Sequence, residues 1–327
     1  MILAGVAFAL TKNPLILMAI AIIGVFSPSG NEIGPFLSIE QAGLTQLVPN
    51  AKRTKTFAWY NLSGSFATAA GALTGGLLAQ ALQLRGVSEL ASYRSILMGY
   101  SLGGLILVCL FLFLSPAIEV QKKPNAYEGK RTLGLYRSRN VVLKLSMLFA
   151  MDAFAGGLIV QSLMVLWFVT RFKVDTAMIG SIFFAANILA GISALLASRI
   201  ARRFGLINTM VFTHIPSNIM LMLVPLMPSL PLAIGLLLLR FSISQMDVPT
   251  RQSYTMAVVE PDERSAASGV TTIARSIGAA ISPSLTGIFL GIPALLGFPF
   301  ILSGGIKIIY DLLLYRNFKS VKPPEEK

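Results

Sequence analysis

Long apolar runs separated by short polar loops dominate the chain, and they predict helices that cross a membrane. A spanning helix needs about 20 apolar residues. Nine runs reach that length, and one more, Ile2–Leu10, has about half of it. The predicted spans are Pro14–Val48, Thr56–Gln83, Tyr93–Ser115, Val141–Thr170, Thr176–Arg199, Leu206–Met227, Leu230–Val258, Ser265–Leu290 and Pro293–Tyr315. The first is overlong, and Ser27-Pro28-Ser29-Gly30 and Pro35 predict a kink or an unwound turn within it.

The composition supports a membrane protein that has no soluble domain of useful size. Hydrophobic residues make up 54% of the chain and charged residues 13%, whereas a soluble domain carries about a quarter charged residues. The predicted fold class is therefore all-α and polytopic, with nine full spans and an N-terminal stub. A net charge of +13 would suit nucleic acid only on a basic face outside the bilayer, so a nucleic-acid partner is excluded.

Lysines and arginines are distributed unequally between alternate loops, which predicts the orientation. The richer set comprises Lys52, Arg53, Lys55, Lys122, Lys123, Lys130, Arg131, Arg137, Arg139, Arg199, Arg202, Arg203, Arg264, Arg316, Lys319, Lys322 and Lys327. The poorer set comprises Lys12, Arg85, Arg94, Arg171 and Lys173. Because basic loops stay in the cytoplasm, we expect a multi-pass protein of the cell membrane (inner or plasma) with a cytoplasmic C-terminus.

A repeat relates the two halves of the chain. The segment Gln41–Leu77 reappears without gaps 211 positions later as Gln252–Ile288. The identical pairs include Gln41 and Gln252, Val48 and Val259, Arg53 and Arg264, Ser65 and Ser276, Ala69 and Ala280, and Gly76 and Gly287. Each copy is an apolar helix, a short charged loop and a helix rich in small residues. Parallel repeats of this kind are a building plan of secondary transporters.

The loop after the Thr176 span carries three closely spaced arginines, Arg199, Arg202 and Arg203. They can be read as positive-inside residues that snorkel to the interface. They can also be read as a cytoplasmic gate. In the second reading the chain resembles the major facilitator superfamily, whose signature is Gly-x-x-x-Asp-Arg-x-Gly-Arg-Arg. Here Ser198 replaces the Asp and Ala201 the second Gly.

Small residues form a second pattern at equivalent positions of the repeat. Gly71, Gly75 and Gly76 are similar to the family's antiporter signature Gly-Pro-x-x-Gly-Gly, with Ala replacing the Pro. The partner segment has Pro283 and Gly287 at the corresponding places. Both segments are predicted to let helix backbones approach closely, which small residues also do in membrane proteins generally.

Ionisable side chains lie inside several predicted spans, where a charge is costly and usually faces a polar interior. The candidates for a substrate or proton cavity are Glu32, Glu40, Asp152, Gln161, Asn187, Arg240, Asp247, Arg251 and Arg275. Asp247 and Arg251 are four residues apart and can pair on one helix face. Glu40 is the repeat equivalent of Arg251, which predicts opposite charges facing each other across a cavity. Each candidate also has a structural alternative, as a fold-locking pair, a snorkelling side chain or a helix-to-helix hydrogen bond.

Three residues carry sharper hypotheses: two of these candidates and the single histidine. Asp152 is isolated in a Gly-rich apolar helix and is predicted to bind a proton or substrate, and Arg275 is a plausible counter-charge to it or to Asp247. His214, the single histidine, suits a proton switch chemically. A lone histidine in an apolar helix is, however, more often a packing residue whose hydrogen bonds are satisfied, and that is the favoured interpretation.

Three further residues are predicted to have structural roles. Trp59 and Trp167 are predicted to anchor the protein at the two membrane interfaces. Cys109, the single cysteine, lies in an apolar run and is expected to be a buried, inert thiol, so no disulfide can form within the chain.

The resemblance implies twelve helices in two six-helix bundles that rock about a substrate site near the bilayer midplane. On that plan, residues 1–116 are a partial N-terminal bundle with a stub of helix three and helices four to six. Residues 117–140 are a basic cytoplasmic linker, 141–316 the C-terminal six-helix bundle, and 317–327 a cytoplasmic tail. Helices one and two would then be missing, through a gene truncation or a wrongly assigned start.

The predicted function is secondary active transport of a small solute by alternating access, coupled to protons, with efflux or antiport ahead of uptake. The expected partners are a small-molecule substrate, protons and membrane lipid, and the expected state is a monomer. The sequence has no P-loop after a strand, no metal-ligand cluster and no nucleophile–base constellation. We therefore expect no ATP motor, no cofactor or metal, and no enzymatic activity. The alternative is a non-transporting fragment or a membrane assembly or receptor-like subunit.

Overall fold

The computed structural model describes residues 1–23, 35–114, 133–174, 176–321 and 323. Their regular structure is helical, which confirms the all-α fold class. The α-helices are α1 Ile2–Leu10, α2 Pro14–Ile23, α3 Pro35–Leu47, α4 Arg53–Leu84, α5 Glu89–Leu112, α6 Arg139–Gly157, α7 Gln161–Phe172, α8 Thr176–Phe204, α9 Leu206–Leu223, α10 Leu230–Phe241, α11 Asp247–Ala257, α12 Arg264–Leu290 and α13 Phe298–Phe318. The stub Ile2–Leu10 has the predicted bounds.

Two predicted spans are each broken into two helices. The span Val141–Thr170 divides between α6 and α7 just after Gly156-Gly157, where glycine weakens the helix. The carbonyl of Leu158 at that break accepts a hydrogen bond of 2.9 Å from Thr286 Oγ1. The span Leu230–Val258 divides between α10 and α11, where the backbone N–H of Gln245 donates to Ser193 Oγ at 3.3 Å. Side chains of other helices thus satisfy backbone groups that the breaks release.

The overlong first span gives α2 and α3, which are separated by residues 24–34. The predicted kink and Glu32 therefore lie outside the described residues. Five described helical stretches are long and apolar enough to cross a membrane: Glu89–Leu112, Arg139–Phe172, Met178–Phe204, Leu206–Leu226 and Phe298–Phe318. Pro14–Ile23 and Leu230–Phe241 are apolar but shorter. The sequence predicted nine spans, and the described residues support a polytopic protein with fewer clear ones.

The chain forms two compact units. The first comprises Met1–Leu37 and Gly64–Glu119, and the second comprises Ser38–Ser63 and Val120–Lys327. In the first unit, α1 packs tightly on α5, since a Cβ added at Gly104 would lie 2.9 Å from the Cβ of Met1. The boundary between the bundles at residue 116 stays a prediction. Within these units, Ser38–Ser63 groups with the C-terminal helices. Most of the predicted linker lies outside the described residues.

The core of the second unit has two main apolar clusters. One gathers around Trp167, Phe168 and Phe300. The other gathers around Leu145, Phe149, Tyr254, Tyr310 and Phe318, with the start of α9. Most of the buried charged side chains described below lie on helices of this second cluster, α6, α9, α11 and α13, and one lies on α12.

The predictions for Trp167 and Cys109 were wrong. Trp167 is only 3% exposed, so it fills the first apolar cluster and does not anchor at an interface, whereas Trp59 is 53% exposed. Cys109 is exposed on the surface of α5 and is not buried.

The repeat is present in the backbone of the second unit. In the first copy α3 ends at Leu47, a 3-10 turn covers Asn50–Lys52 and α4 begins at Arg53. In the second copy α11 ends at Ala257, a 3-10 turn covers Pro261–Glu263 and α12 begins at Arg264. The turn and the following helix agree with the 211-residue offset, and the preceding helix agrees to within one residue.

Candidate functional site

Asp152, in the second half of α6, is the centre of a buried charge network. Its Oδ2 accepts hydrogen bonds from Arg251 Nη1 at 3.2 Å and from Arg275 Nη1 at 3.1 Å. Its Oδ1 accepts a bond of 2.6 Å from Lys307 Nζ. The three cations come from α11, α12 and α13, so one carboxylate joins four helices. Asp152 and Arg275 are therefore brought together as the sequence suggested.

A second carboxylate, Asp247, completes the network. It is the first residue of α11, where the helix N-terminus favours a negative charge. Its Oδ2 accepts a hydrogen bond of 2.9 Å from Arg251 Nη1, four residues on along the same helix. The guanidinium of Arg251 also lies over the ring of Phe149, 5.6 Å from its centroid. Arg251 is thus shared between two carboxylates on different helices.

The close approach of α6 and α12 lets Arg275 of α12 reach Asp152. A Cβ added at Gly278 would lie 2.2 Å from the carbonyl oxygen of Ala150, and one added at Gly157 would collide with Ser282 Oγ. These contacts lie on either side of Asp152 in sequence. Arg275 precedes Gly278 by one helical turn, so its side chain starts beside the point of closest contact.

The network has more positive than negative formal charge. Among the described residues it contains three cations and two carboxylates. The side chain of Arg275 is 33% exposed, whereas those of Asp152, Asp247, Arg251 and Lys307 are enclosed. The excess positive charge therefore reaches open space at Arg275. Removing one partner from such a buried set leaves an uncompensated charge, which typically costs about 3–5 kcal/mol.

A second polar cluster joins α9 to α13. His214 Nδ1 lies 2.9 Å from Asp311 Oδ1, and Asn218 Nδ2 donates to Asp311 Oδ2 at 3.2 Å. All three side chains are buried. Asp311 also follows Lys307 by four residues, so the two clusters share one face of α13. We call His214, Asn218 and Asp311 the histidine cluster.

The sequence analysis did not single out Lys307, Asp311 or Asn218. The signal that could have found the first two is their position in the apolar run Pro293–Tyr315, where an ionisable side chain needs a partner. The sequence favoured a satisfied packing residue for His214 over a proton switch. Its bond to the buried carboxylate of Asp311 is compatible with both interpretations.

Other candidates lie away from the network. Glu40 accepts a hydrogen bond from the hydroxyl of Tyr60, and Arg251 pairs with the two aspartates, so the predicted opposition of Glu40 and Arg251 is not observed. Gln161 and Asn187 are exposed. Arg240 is half-buried, with its guanidinium 5.1 Å from the centroid of the neighbouring Phe241 ring.

The arginine-rich signature lies at the exposed end of α8. Arg199, Arg202 and Arg203 are exposed, and Arg203 lies over the ring of Phe204. Ser198 is buried and donates to the carbonyl of Leu195 at 3.2 Å, within its own helix. Gly205, with φ of +86°, turns the chain sharply into α9. The hydroxyl that replaces the family's acidic residue therefore bonds its own backbone.

The predicted packing signature does not mark the tight contact. A Cβ added at Gly71 or Gly287 would meet no atom within 4 Å, and one at Gly75 would lie 3.9 Å from Ile96. Pro283 is exposed, and the surroundings of Gly76 lie outside the described part of the chain. The close helix contact instead uses Gly157 and Gly278, described above, because tertiary packing selects among many small residues.

Polar side chains link the two copies of the repeat within the second unit. Ser268 Oγ donates to Gln41 Oε1 at 2.9 Å, and Asn61 Nδ2 donates to Gln252 Oε1 at 2.6 Å. Gln41 and Gln252 are repeat equivalents, and each bonds the helix that follows the other copy's turn. Thr54 Oγ1 also donates to Ser253 Oγ at 2.8 Å. These crossed contacts join the copies symmetrically.

Glu263 ties the start of α6 to the turn before α12. Its carboxylate accepts hydrogen bonds from the backbone N–H groups of Tyr136, of Arg137 at 2.9 Å and of Ser138 at 2.8 Å. Burial alone would raise the pKa of Glu263, but these bonds and one with the Ser138 side chain lower the pKa below its usual value. The clamp fixes the end of the loop that leads into α6.

A helical, polytopic protein with a charge network among its apolar helices is typical of membrane transporters. Residues 1–283 match the family model of the Major Facilitator Superfamily, and the chain belongs to this family. The resemblance seen in the sequence is thereby confirmed, and the comparisons point to a transporter fold and not to an enzyme.

The relatives are similar along almost all of this chain. An uncharacterized membrane protein of Saccharomyces cerevisiae is 28% identical, over 98% of this chain and 78% of its own length. The human organic anion transporter MFSD10 superposes with a TM-score of 0.70 at 15% identity, over 95% of this chain and 74% of its own. The proton:xylose symporter XylE has a TM-score of 0.69 at 14% identity, over 99% and 79%.

Proposed function

We propose that the chain is a secondary active transporter that moves a small anionic solute by alternating access, in exchange for protons. The observation that carries this proposal is the buried network on Asp152, in which three cations from three helices converge on one carboxylate. A structural ion pair needs one cation for each carboxylate. Three cations with two carboxylates leave a formal positive charge that a bound anion would neutralise.

Arg275 supplies the point of entry for the solute. Its guanidinium is partly exposed and has five N–H donors, of which Nη1 bonds to Asp152. A carboxylate or phosphate group can take the remaining donors in a two-point contact, which favours planar oxyanions. The human structural neighbour is an organic anion transporter, a substrate class that suits an excess of positive charge.

Proton coupling follows from the titratable groups around the network. Two carboxylates, a lysine and a histidine cluster lie among apolar helices, where ionisable groups commonly serve ion and proton pathways. Another structural neighbour is a proton symporter, so the same fold can use a proton gradient. The assignment of exchange, with solute and proton moving in opposite directions, is supported by the antiporter-like sequence pattern at Gly71 and Pro283.

The test is transport by the full chain in proteoliposomes. A panel of labelled monocarboxylates, dicarboxylates and organic phosphates is first ranked by the increase in melting temperature that each gives the detergent-solubilised protein. The best ligands are then tested for counterflow with and without an imposed pH gradient. We expect anions to stabilise the protein, and their counterflow to be lost in Arg275→Gln and partly retained in Arg275→Lys.

The matched control is Arg202→Gln, which removes an exposed arginine at the end of α8. It should leave anion binding unchanged. Stabilisation by neutral sugars and not by anions would contradict the anionic substrate. A chain that binds and moves none of the panel would instead favour the non-transporting alternative.

A further inference from the structure

The histidine cluster lies between the Asp152 network and the arginine-rich ends of the helices. His214 is nine residues from Gly205, about 13 Å along α9, and Asp311 is seven residues from the end of α13, about 10 Å. Asp152 is thirteen residues from the start of α6, about 20 Å. These helix ends meet, since Leu145, Leu206 and Phe318 share one apolar cluster.

The histidine cluster is buried but incompletely hydrogen-bonded. Among the described residues, Asn218 Oδ1 and the neighbouring Ser217 Oγ have no hydrogen-bond partner. An unsatisfied buried polar atom destabilises the folded state. A purely structural cluster would be expected to satisfy these atoms, whereas a site that gains and loses a proton must accommodate two bonding patterns.

Charged groups surround the histidine cluster on several sides. The groups that act on it are Asp152 from α6, Asp247 from α11 and Tyr310 from α13, and the cations Arg251 and Lys307 lie next to Asp152 in turn. The ring of Tyr310 packs edge-on to His214, with centroids 6.1 Å apart. Helices α8 and α10 also pack on α9 and carry Arg199, Arg202, Arg203 and Arg240.

We propose that His214 and Asp311 bind the proton that is exchanged for solute, and that Lys307 links this site to Asp152. The inference rests on the proposed function and assigns its proton site to residues other than Asp152. With the proton bound, imidazolium and carboxylate form a neutral pair. When the proton leaves the imidazole, the cluster keeps one negative charge on Asp311.

Lys307 carries the coupling because it lies one helical turn from Asp311 and bonds Asp152 at 2.6 Å. Loss of the proton leaves Asp311 without a cationic partner on His214 and increases its attraction for Lys307. The hydrogen bond between Lys307 and Asp152 is weakened as a result. Asp152 and its arginines thereby become available to rearrange around an anionic solute.

The single histidine allows a direct test without a known substrate. The full chain is labelled with ¹⁵N,¹³C-histidine and reconstituted in nanodiscs, and the imidazole signals are followed by NMR from about pH 4 to 9. Every signal then reports His214, because the chain has one histidine. We expect one reversible change between neutral and charged imidazole within this range, and an imidazole that keeps one form throughout would overturn the proposal.

Variants test the two links. Asp311→Asn should change the pH response of the imidazole signals, because it removes the carboxylate that lies 2.9 Å from the ring. Asp152→Asn should change it by a smaller amount, through Lys307 and through the direct charge interaction of Asp152 with His214. Asp262→Asn, the same change at an exposed loop carboxylate, is the control and should move nothing.

Equal shifts in Asp311→Asn and Asp262→Asn would overturn the proton site, and no shift in Asp152→Asn would overturn the link through Lys307. These outcomes are independent of the transport assay. A chain that exchanges anions but whose imidazole does not titrate keeps the proposed function and loses this inference. A chain whose imidazole titrates but that moves no solute loses the proposed function.

Discussion

The two copies of the repeat share a backbone plan but differ in charge. Both place a helix, a 3-10 turn and a long small-residue helix at the same offset, and both use an equivalent glutamine to bond the other copy. At one equivalent position, however, the first copy has Glu40, bonded to Tyr60, and the second has Arg251, bonded to Asp152 and Asp247. The repeat therefore fixes the path of the chain, and individual substitutions within it decide where charges gather.

The largest expected difference between the copies is at this pair of positions. Arg251→Ala removes the hydrogen-bonded cation of Asp247 and one of the three cations around Asp152, so we expect a loss of about 3–5 kcal/mol in the free energy of unfolding. Glu40→Ala removes one part-exposed hydrogen bond and should cost about 0.5–1.5 kcal/mol. Reversible unfolding in mixed detergent measures both. Similar losses for the two variants would mean that Arg251 is not in a tightly coupled network.

The clamp at Glu263 is the next largest difference, since the equivalent residue of the first copy is Lys52. Glu263→Gln weakens three bonds from backbone N–H groups and should cost about 1.5–3 kcal/mol near neutral pH. Because the folded-state pKa of Glu263 is lowered, this stability is present above the unfolded pKa and is lost as pH falls through the folded one.

The pH dependence supplies the control for the clamp. The difference between wild type and Glu263→Gln should shrink below about pH 4, where the free carboxyl of a glutamate becomes protonated. Glu260→Gln, at an exposed carboxylate of the same loop, should show little difference at any pH. A constant gap between wild type and Glu263→Gln down to the acid limit of folding would contradict a role for the ionised carboxylate.

A smaller effect is expected in the glycines of α12. Gly278→Ala places a Cβ against the carbonyl of Ala150 and should cost about 1–3 kcal/mol through overpacking, with weaker anion binding because Arg275 is displaced. Gly287→Ala meets open space and should be neutral or stabilising by up to about 1 kcal/mol. Thermal unfolding of both variants measures the difference, and equal melting temperatures would rule out close packing at Gly278.

The crossed glutamines should show the smallest difference, because they are equivalent. Gln41→Leu and Gln252→Leu each remove one hydrogen bond between the copies and should each cost about 0.5–1.5 kcal/mol. A double-mutant cycle measures whether the two losses are additive. A large loss in only one of them would show that the copies are not held symmetrically.

Hydrophobic length and charge placement were enough to predict the stub helix, the Asp247–Arg251 pair and a counter-charge role for Arg275. Ile2–Leu10 and the charges Asp152 and Arg275 follow from the sequence, since an ionisable group in an apolar helix requires a counter-charge. The break between α10 and α11 could not be predicted, because Ser193 on another helix satisfies the backbone there. Hydropathy has no information about that contact.

The choice of partners was the other part that the sequence left open. Glu40 and Arg251 are equivalent by repeat and opposite in charge, yet each bonds other residues. Lys307 and Asp311 lie four apart, as a helical ion pair would, but each bonds a different helix. Which charges meet depends on how four helices pack, and that packing is set by contacts such as Gly278 against Ala150.

The Glu263 clamp has a consequence for how the linker can be engineered. Because the carboxylate grips the backbone at Tyr136, Arg137 and Ser138, the starting register of α6 is set by the turn before α12. Asp152 lies thirteen residues after Arg139, so these hydrogen bonds also fix its position along the axis of α6. Residues added or removed upstream of position 133 would change the length of the chain before this clamp. Asp152 would keep its position opposite the three cations.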